Sequence, residues 1–326
     1  MDGWQIGELG TTGGTVMRGI LSLFAAAFVL SAVGKSNADW TGIFPEGVRT
    51  IGIPAPASII SAAKLTNGVA MLEKAGYRVK LGRHTADKVQ PSAEDRAKDF
   101  ADLWMDKEVD LILCARGGRG AEDVLPLLDW EKLRTRKMTV LGFSNVTHIL
   151  NAMLKKGVGH PYSSTLLTSL QYSLPETRSR LRKVLDGATL EPVHIKPLRA
   201  GTVEGMPIGG HVVVFSRFMA GEYALDTKGK VIFLECGGSK RPVSAVKTAF
   251  DELLARKVFD RCAGVVLCDF TNCGTKSELN QVFAGFVASV KCPVYSGYPY
   301  GHVPRSYAID FHRVVSIDSS GLISWK

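Results

Sequence analysis

No apolar run in this 326-residue sequence reaches the roughly 20 residues that a helix needs to cross a bilayer; the N-terminal one, residues 20–33, stops at 14. Zinc spacing is missing as well. The six cysteines, at 114, 236, 262, 268, 273 and 292, form no C-x-x-C pair, and the seven histidines form no H-x-x-x-H or H-E-x-x-H. A catalytic metal is therefore not expected. There is no Walker loop, and the glycines at 118 and 120 lack the third glycine of a dinucleotide fingerprint, position 123 being Asp. Neither a nucleotide enzyme nor any other cofactor is indicated. The chain is also too large to need a disulfide framework, and Cys114 and Cys268 lie in apolar runs that read as buried strands. The 40 Lys and Arg outnumber the 31 Asp and Glu, but they are scattered, and nucleic-acid binding would need a patch. The net charge of +9 suits a field that attracts small acidic substrates.

What is present is a globular composition, 45% hydrophobic and 22% charged, with 34 glycines. Residues 1–38 stand apart. Met17 and Arg18 precede the apolar run, and a small-x-small pattern closes at Ser36-Asn37-Ala38. That is the arrangement of a secretory signal peptide, leaving no stable membrane span after cleavage and placing the product in the periplasm or cell envelope. An uncleaved anchor or an N-terminal helix, with a cytoplasmic protein, is the alternative.

From Val48 onward strands and helices alternate. VRTIGIPAPAS reads as a buried strand opening into a loop, KLTNGVAMLEKAGYRVKLG as a helix and a second strand, and PSAEDRAKDFADLWMDK as a capped amphipathic helix. VDLILCARGG and MTVLGFS are further strands, the latter followed by the helix VTHILNAMLKKG. Nearly all-apolar strands separated by helices indicate a doubly wound parallel α/β sheet over about 48–185. In such sheets chemistry collects beyond the carboxyl ends of the strands, where PAPAS, ARGGRG and GFSN fall. Residues 200–326 change character, with several short strands and one clear helix near 242–256, and read as a smaller β-rich domain.

Ser144 lies at a strand-to-helix turn, where a hydroxyl is presented above a sheet edge and the first N–H groups of the helix face the same space. Such a serine can equally be a helix N-cap, and the full G-x-S-x-G is absent because position 146 is Val. Glu235 closes the apolar run KVIFLE, and His302 sits in the Gly/Pro-rich loop YPYGHVP. A Ser–His–carboxylate set requires only that the three converge in space. His148, His160 and His211 compete for the base, and Arg116 and Arg119 could orient a substrate carboxylate.

Taken in order, these stretches resemble the LD-carboxypeptidase family of serine peptidases, which includes the microcin C immunity type. The resemblance runs from about Val48 to Asp318 through IGIPAPAS, LILCARGGRGAEDVLPLLD, GFSNVT, PIGGHVVVFSRFMAG, KVIFLE and the Gly-His of YPYGH. It implies a flavodoxin-like N-terminal domain, a small β-rich C-terminal domain and an active site between them. It further implies Ser144 as nucleophile, His302 as base and Glu235 as the orienting carboxylate. The oxyanion would be held by the N–H of Asn145 and of a glycine in Arg116-Gly117-Gly118. It implies no cofactor, a homodimer, and cleavage of an L,D-peptide bond that releases the terminal D-Ala of murein tetrapeptides. A non-catalytic exported muropeptide-binding protein is the alternative. Three positions depart from the family pattern: Asn145 replaces an Asp, Arg119 replaces an aromatic, and CGGSKRPVSAVKTAF follows Glu235 in place of the usual acidic and Tyr-Arg segment.

Overall fold

The computed structural model describes residues 40–326, which belong to one compact unit. The segment 1–38 expected to be a signal peptide lies outside the described residues. Among the described residues no helix is long and apolar enough to cross a membrane.

Five strands carry the first half: β1 (Thr50–Ile53), β2 (Arg78–Leu81), β3 (Leu111–Leu113), β4 (Thr139–Gly142) and β5 (His160–Ser163). They are parallel and lie in the order 2-1-3-4-5, the flavodoxin-like arrangement. β1 and β3 are wholly buried, which explains their unbroken apolar sequence, while the edge strand β2 is half exposed and carries Arg78 and Lys80. The order reverses between β1 and β3, so the loops that leave them flank a crevice at the switch point. Those loops are PAPAS and ARGGRG, and the loop after β4, carrying Ser144, lies beside them.

The second half contains β6 (Val193–His194), β7 (Lys196–Arg199), β8 (Val203–Gly205), β9 (Pro207–His211), β10 (Val231–Cys236), β11 (Gly264–Phe270) and β12 (Val294–Ser296). It ends with β13 (Ile309–Asp310), β14 (Val315–Ile317) and β15 (Leu322–Trp325). β9, β10, β11 and β12 form a second parallel sheet with β7 antiparallel at its edge, and β6, β15, β14 and β8 form a small antiparallel sheet. β13 returns to the first sheet, where it pairs antiparallel with β5.

Helices are more prominent here than the sequence pattern indicates. PIGGHVVVFSRFMAG, one of the stretches whose β-branched run suggests a strand, is strand only to His211 and helix from Val212 to Met219. Its β-branched residues favour strand locally, but Val212, Phe215 and Phe218 are all buried by the helical spacing, and tertiary burial overrides propensity. The helix Lys276–Ser289 begins with a capping box, in which Thr275 and Glu278 each accept the other's backbone N–H.

At the centre of the second sheet Phe233 is fully buried, its ring 5.5 Å from Tyr298 and 6.0 Å from Trp325. Truncating it leaves a cavity between the two sheets of this half. Phe233→Ala is expected to lower stability by about 3–5 kcal/mol, measured as a shift in the denaturant midpoint.

Candidate active site

β4 ends at Gly142, and the chain passes through Phe143 into a single 3-10 turn, Ser144–Val146, that continues as the helix Thr147–Lys156. Ser144 has a φ of +61°, a left-handed conformation that costs a non-glycine residue about 1–3 kcal/mol. Gly142 makes the turn possible, since a Cβ there would come 2.6 Å from Val146 Cγ1. Gly117 closes in from the β3 loop: its Cβ would lie 2.9 Å from Ser144 Oγ and 3.4 Å from the Asn145 backbone nitrogen. A small pocket of backbone is thus left beside the hydroxyl, with helix-start N–H groups around it.

Glu235 lies in the inner strand β10 and is completely buried, with Oε2 2.8 Å from His302 Nδ1. His302 Nε2 is 3.2 Å from Ser144 Oγ. When Nδ1–H donates to the carboxylate, Nε2 is left as the acceptor for the serine hydroxyl. The imidazole is held by Phe143, with ring centroids 4.7 Å apart, and by two glycines of the loop after β10. A Cβ on Gly237 would lie 2.7 Å from His302 Cβ, and one on Gly238 3.0 Å from its Nε2. The Gly-Gly that follows Cys236 therefore lets the loop rest against the ring.

None of the competing histidines is hydrogen-bonded to Ser144. His148 lies behind the turn, 3.7 Å from Glu122 Oε2, and His160 begins β5 at the other end of its strand. His211 pairs in register with Glu235 and meets His302 edge-on at 5.8 Å, but its Nε2 is 3.8 Å from Cys236 Sγ. Burial lowers its pKa against the pull of Glu235, so it is a neutral wall of the site.

Asn145 is buried, and both ends of its amide are hydrogen-bonded. Its Oδ1 accepts the Ala121 N–H at 2.9 Å, and its Nδ2 donates to Glu122 Oε2 at 3.1 Å. Burial alone would raise the Glu122 carboxyl. Its own backbone N–H, the His148 imidazole, the Asn145 amide and the Gly120 N–H together hold it below its ordinary value. Arg116 is exposed at the cavity wall, with Nη1 donating to Ile59 O at 2.8 Å, whereas Arg119 is exposed and its N–H donates to Ser58 Oγ at 3.0 Å. Gly118 has a φ of +112°, and a Cβ there would collide with Ser58 Oγ at 2.2 Å.

Arg96 carries none of the chemistry, and sequence reasoning passes over it. Only 6% exposed, its Nη1 donates to Pro56 O at 2.7 Å, Ala57 O at 3.3 Å and Gly120 O at 2.7 Å. One guanidinium thereby ties the loop after β1 to the loop after β3.

A cavity of about 690 Å³ opens over Ser144 and His302. Lys64, Arg116, Arg178 and Arg241 line it, and among the described residues no carboxylate side chain does. The volume suits a small peptide and the charge suits an acid.

The chain matches the LD-carboxypeptidase N-terminal domain over residues 51–162 and the LD-carboxypeptidase C-terminal domain over residues 204–317. A protein named probable murein peptide carboxypeptidase, of Bacillus subtilis (strain 168), is 26% identical over 275 residues, covering 80% of this chain and 86% of the relative. The murein tetrapeptide carboxypeptidase of Pseudomonas aeruginosa is 27% identical over 291 residues, covering 83% and 94%. In fold, the crystal structure of a muramoyltetrapeptide carboxypeptidase from Oxalobacter formigenes superposes with a TM-score of 0.75 at 20% identity, covering 85% of this chain and 97% of that one.

The amide of Asn145 generates a prediction. Asn145→Asp replaces its donor to Glu122 with a second carboxylate at a separation of 3.1 Å, and is expected to lower stability by about 1–3 kcal/mol. Combining it with Glu122→Gln should recover part of that loss in a double-mutant cycle followed by denaturant unfolding.

Proposed function

Since the chain belongs to the LD-carboxypeptidase family, matched in both its N- and C-terminal domains, we propose that it is a serine-type enzyme that removes the terminal D-Ala of murein tetrapeptides. The single observation that carries the serine assignment is the hydrogen-bonded line from buried Glu235 through His302 to Ser144.

In this reading Ser144 Oγ attacks the carbonyl of the L,D-peptide bond while His302 Nε2 takes its proton. Glu235 holds the imidazole in the required tautomer and stabilises the imidazolium as it forms. The negative charge of the tetrahedral intermediate falls beside the Asn145 backbone nitrogen and the Gly117–Gly118 segment, where glycine allows close approach. The imidazolium then protonates the leaving amine of the D-residue, and water, deprotonated by the same histidine, releases the acyl group from Ser144.

The cationic lining supports a substrate with free carboxylates. Arg241 stands out, because its Nε is buried without a hydrogen-bond partner in the protein and its residue lines the cavity. A carboxylate of the peptide would satisfy it. Delivery to the cell envelope belongs to the same reading, supported by the charged, apolar and small-x-small pattern ending at Ala38.

The test is release of D-Ala from a murein tetrapeptide. Ser144→Ala is expected to lower kcat by on the order of 10³-fold or more while the peptide still binds. Arg241→Ala is expected to raise KM about 10-fold with little change in kcat, as for loss of one charge-assisted contact made equally in ground and transition states. Wild-type protein that binds the peptide and releases no D-Ala would overturn the assignment in favour of a binding protein.

A further inference from the structure

A second cluster of chemically able side chains lies away from the cavity. β13 joins the first sheet beside β5, with Asp310 opposite Tyr162 and Ile309 opposite Ser163. This pairing brings His160, at the start of β5, to Asp310 and His312, which are 150 residues or more further along the chain. His160 Nε2 is 2.9 Å from Asp310 Oδ1, and the His160 and His312 rings meet edge-on at 4.4 Å. One ligand atom from each of the three lies within 4.8 Å of the other two, the only such grouping among the described residues.

The side chains are held in place. Tyr162 stacks on His160 with ring centroids 4.6 Å apart and planes 11° from parallel, and the His312 N–H donates to Asp310 Oδ1 at 2.8 Å. Asp310 is buried at 7% exposure, while His312 faces solvent and His160 is half exposed. The group therefore has a buried carboxylate floor and a wet mouth. Two imidazoles and one carboxylate form the N/O donor set that suits Zn²⁺ and is poor for Mg²⁺ or Ca²⁺, which prefer oxygen alone. Ligands about 2.0 Å from a tetrahedral ion stand roughly 3.3 Å from one another, so closing from the present spacing requires a small rotation of the exposed His312.

We propose that His160, Asp310 and His312 form a zinc-binding site that clasps β13 to the edge of the first sheet. Its place separates it from the peptidase chemistry. His160 stands opposite Thr139 at the start of β4, whereas Ser144 follows the end of that strand. The ion lies away from Ser144 and joins two chain segments, the start of β5 and the end of β13. This inference is independent of the reading of the peptidase site.

The experiment uses the full chain, stripped with EDTA and dialysed. Titration with Zn²⁺ is expected to show one equivalent bound by calorimetry and to raise Tm by about 5 °C at saturation, since an ion that binds only the folded state stabilises it. His312→Ala, a change at an exposed position, should keep the zinc-free Tm and abolish both binding and the rise. His160→Gln should do the same to binding. Absence of a one-equivalent isotherm, an unchanged isotherm in His312→Ala, or an equal Tm rise with Mg²⁺ would each overturn the proposal.

Discussion

The backbone of Ser144 sits at a φ of +61°, and much of the surrounding structure exists to allow and hold that one turn. A left-handed serine is unfavourable in isolation, so its neighbours must over-determine it. Gly142 admits Val146 beneath the turn, and Gly117 approaches the hydroxyl more closely than any side-chain-bearing residue could. The result is a hydroxyl above the carboxyl end of β4, reachable from the cavity and close to the N–H groups that open the next helix. The same strain accounts for the absence of free choice at these positions: each glycine answers a contact shorter than 3 Å that a Cβ would make.

Holding a strained turn requires that the loops around it not drift, and here two polar side chains act in place of a hydrophobic core. Arg96 draws the carbonyls of Pro56, Ala57 and Gly120 onto one buried guanidinium. A buried cation is tolerable because three carbonyl dipoles and the nearby Asp123 carboxylate, 3.8 Å away, replace its lost water. Asn145 performs the corresponding service from the other side, binding the Ala121 N–H and the Glu122 carboxylate. With an amide at that position Glu122 stays ionised and paired, which an Asp could not arrange at the same separation. Asn145 is therefore matched by its surroundings.

The architecture of the first half was legible because parallel strands buried on both faces must read as apolar runs, and β1, β3 and β4 do. Ser144 was legible as a strand-to-helix residue, but its φ was not, since no local pattern distinguishes a strained turn from a helix cap. Glu235 and His302 each looked ordinary alone; only the fold brings β10 and the loop after β12 to the same hydroxyl. Arg96 was hidden in EDRAKD among charges that ordinarily face solvent, and nothing in the spacing marks it as buried. In VVVF the local preference pointed the wrong way, because helical burial of Val212 and Phe215 outweighed the β-branched tendency. His160, Asp310 and His312 escape any spacing rule, being assembled by a strand that returns across the chain.

In the proposed reading, the distribution of charge lets one cavity select an acid and still support a serine nucleophile. The two carboxylates nearest the turn, Glu235 and Glu122, lie behind it and are occupied by His302 and by Asn145 with the Gly120 N–H. Among the described residues neither lines the cavity, whose wall carries Lys64, Arg116, Arg178 and Arg241. Arg116 comes from the first parallel sheet and Arg241 from the second, as Ser144 and His302 do. Recognition and chemistry thus both require the two sheets at a fixed separation. Both sheets belong to one compact unit. In the proposed reading an acid bound across that gap is aligned by the same packing that sets the 3.2 Å between His302 and Ser144, and positioning of this kind is where a pre-organised site gains over water.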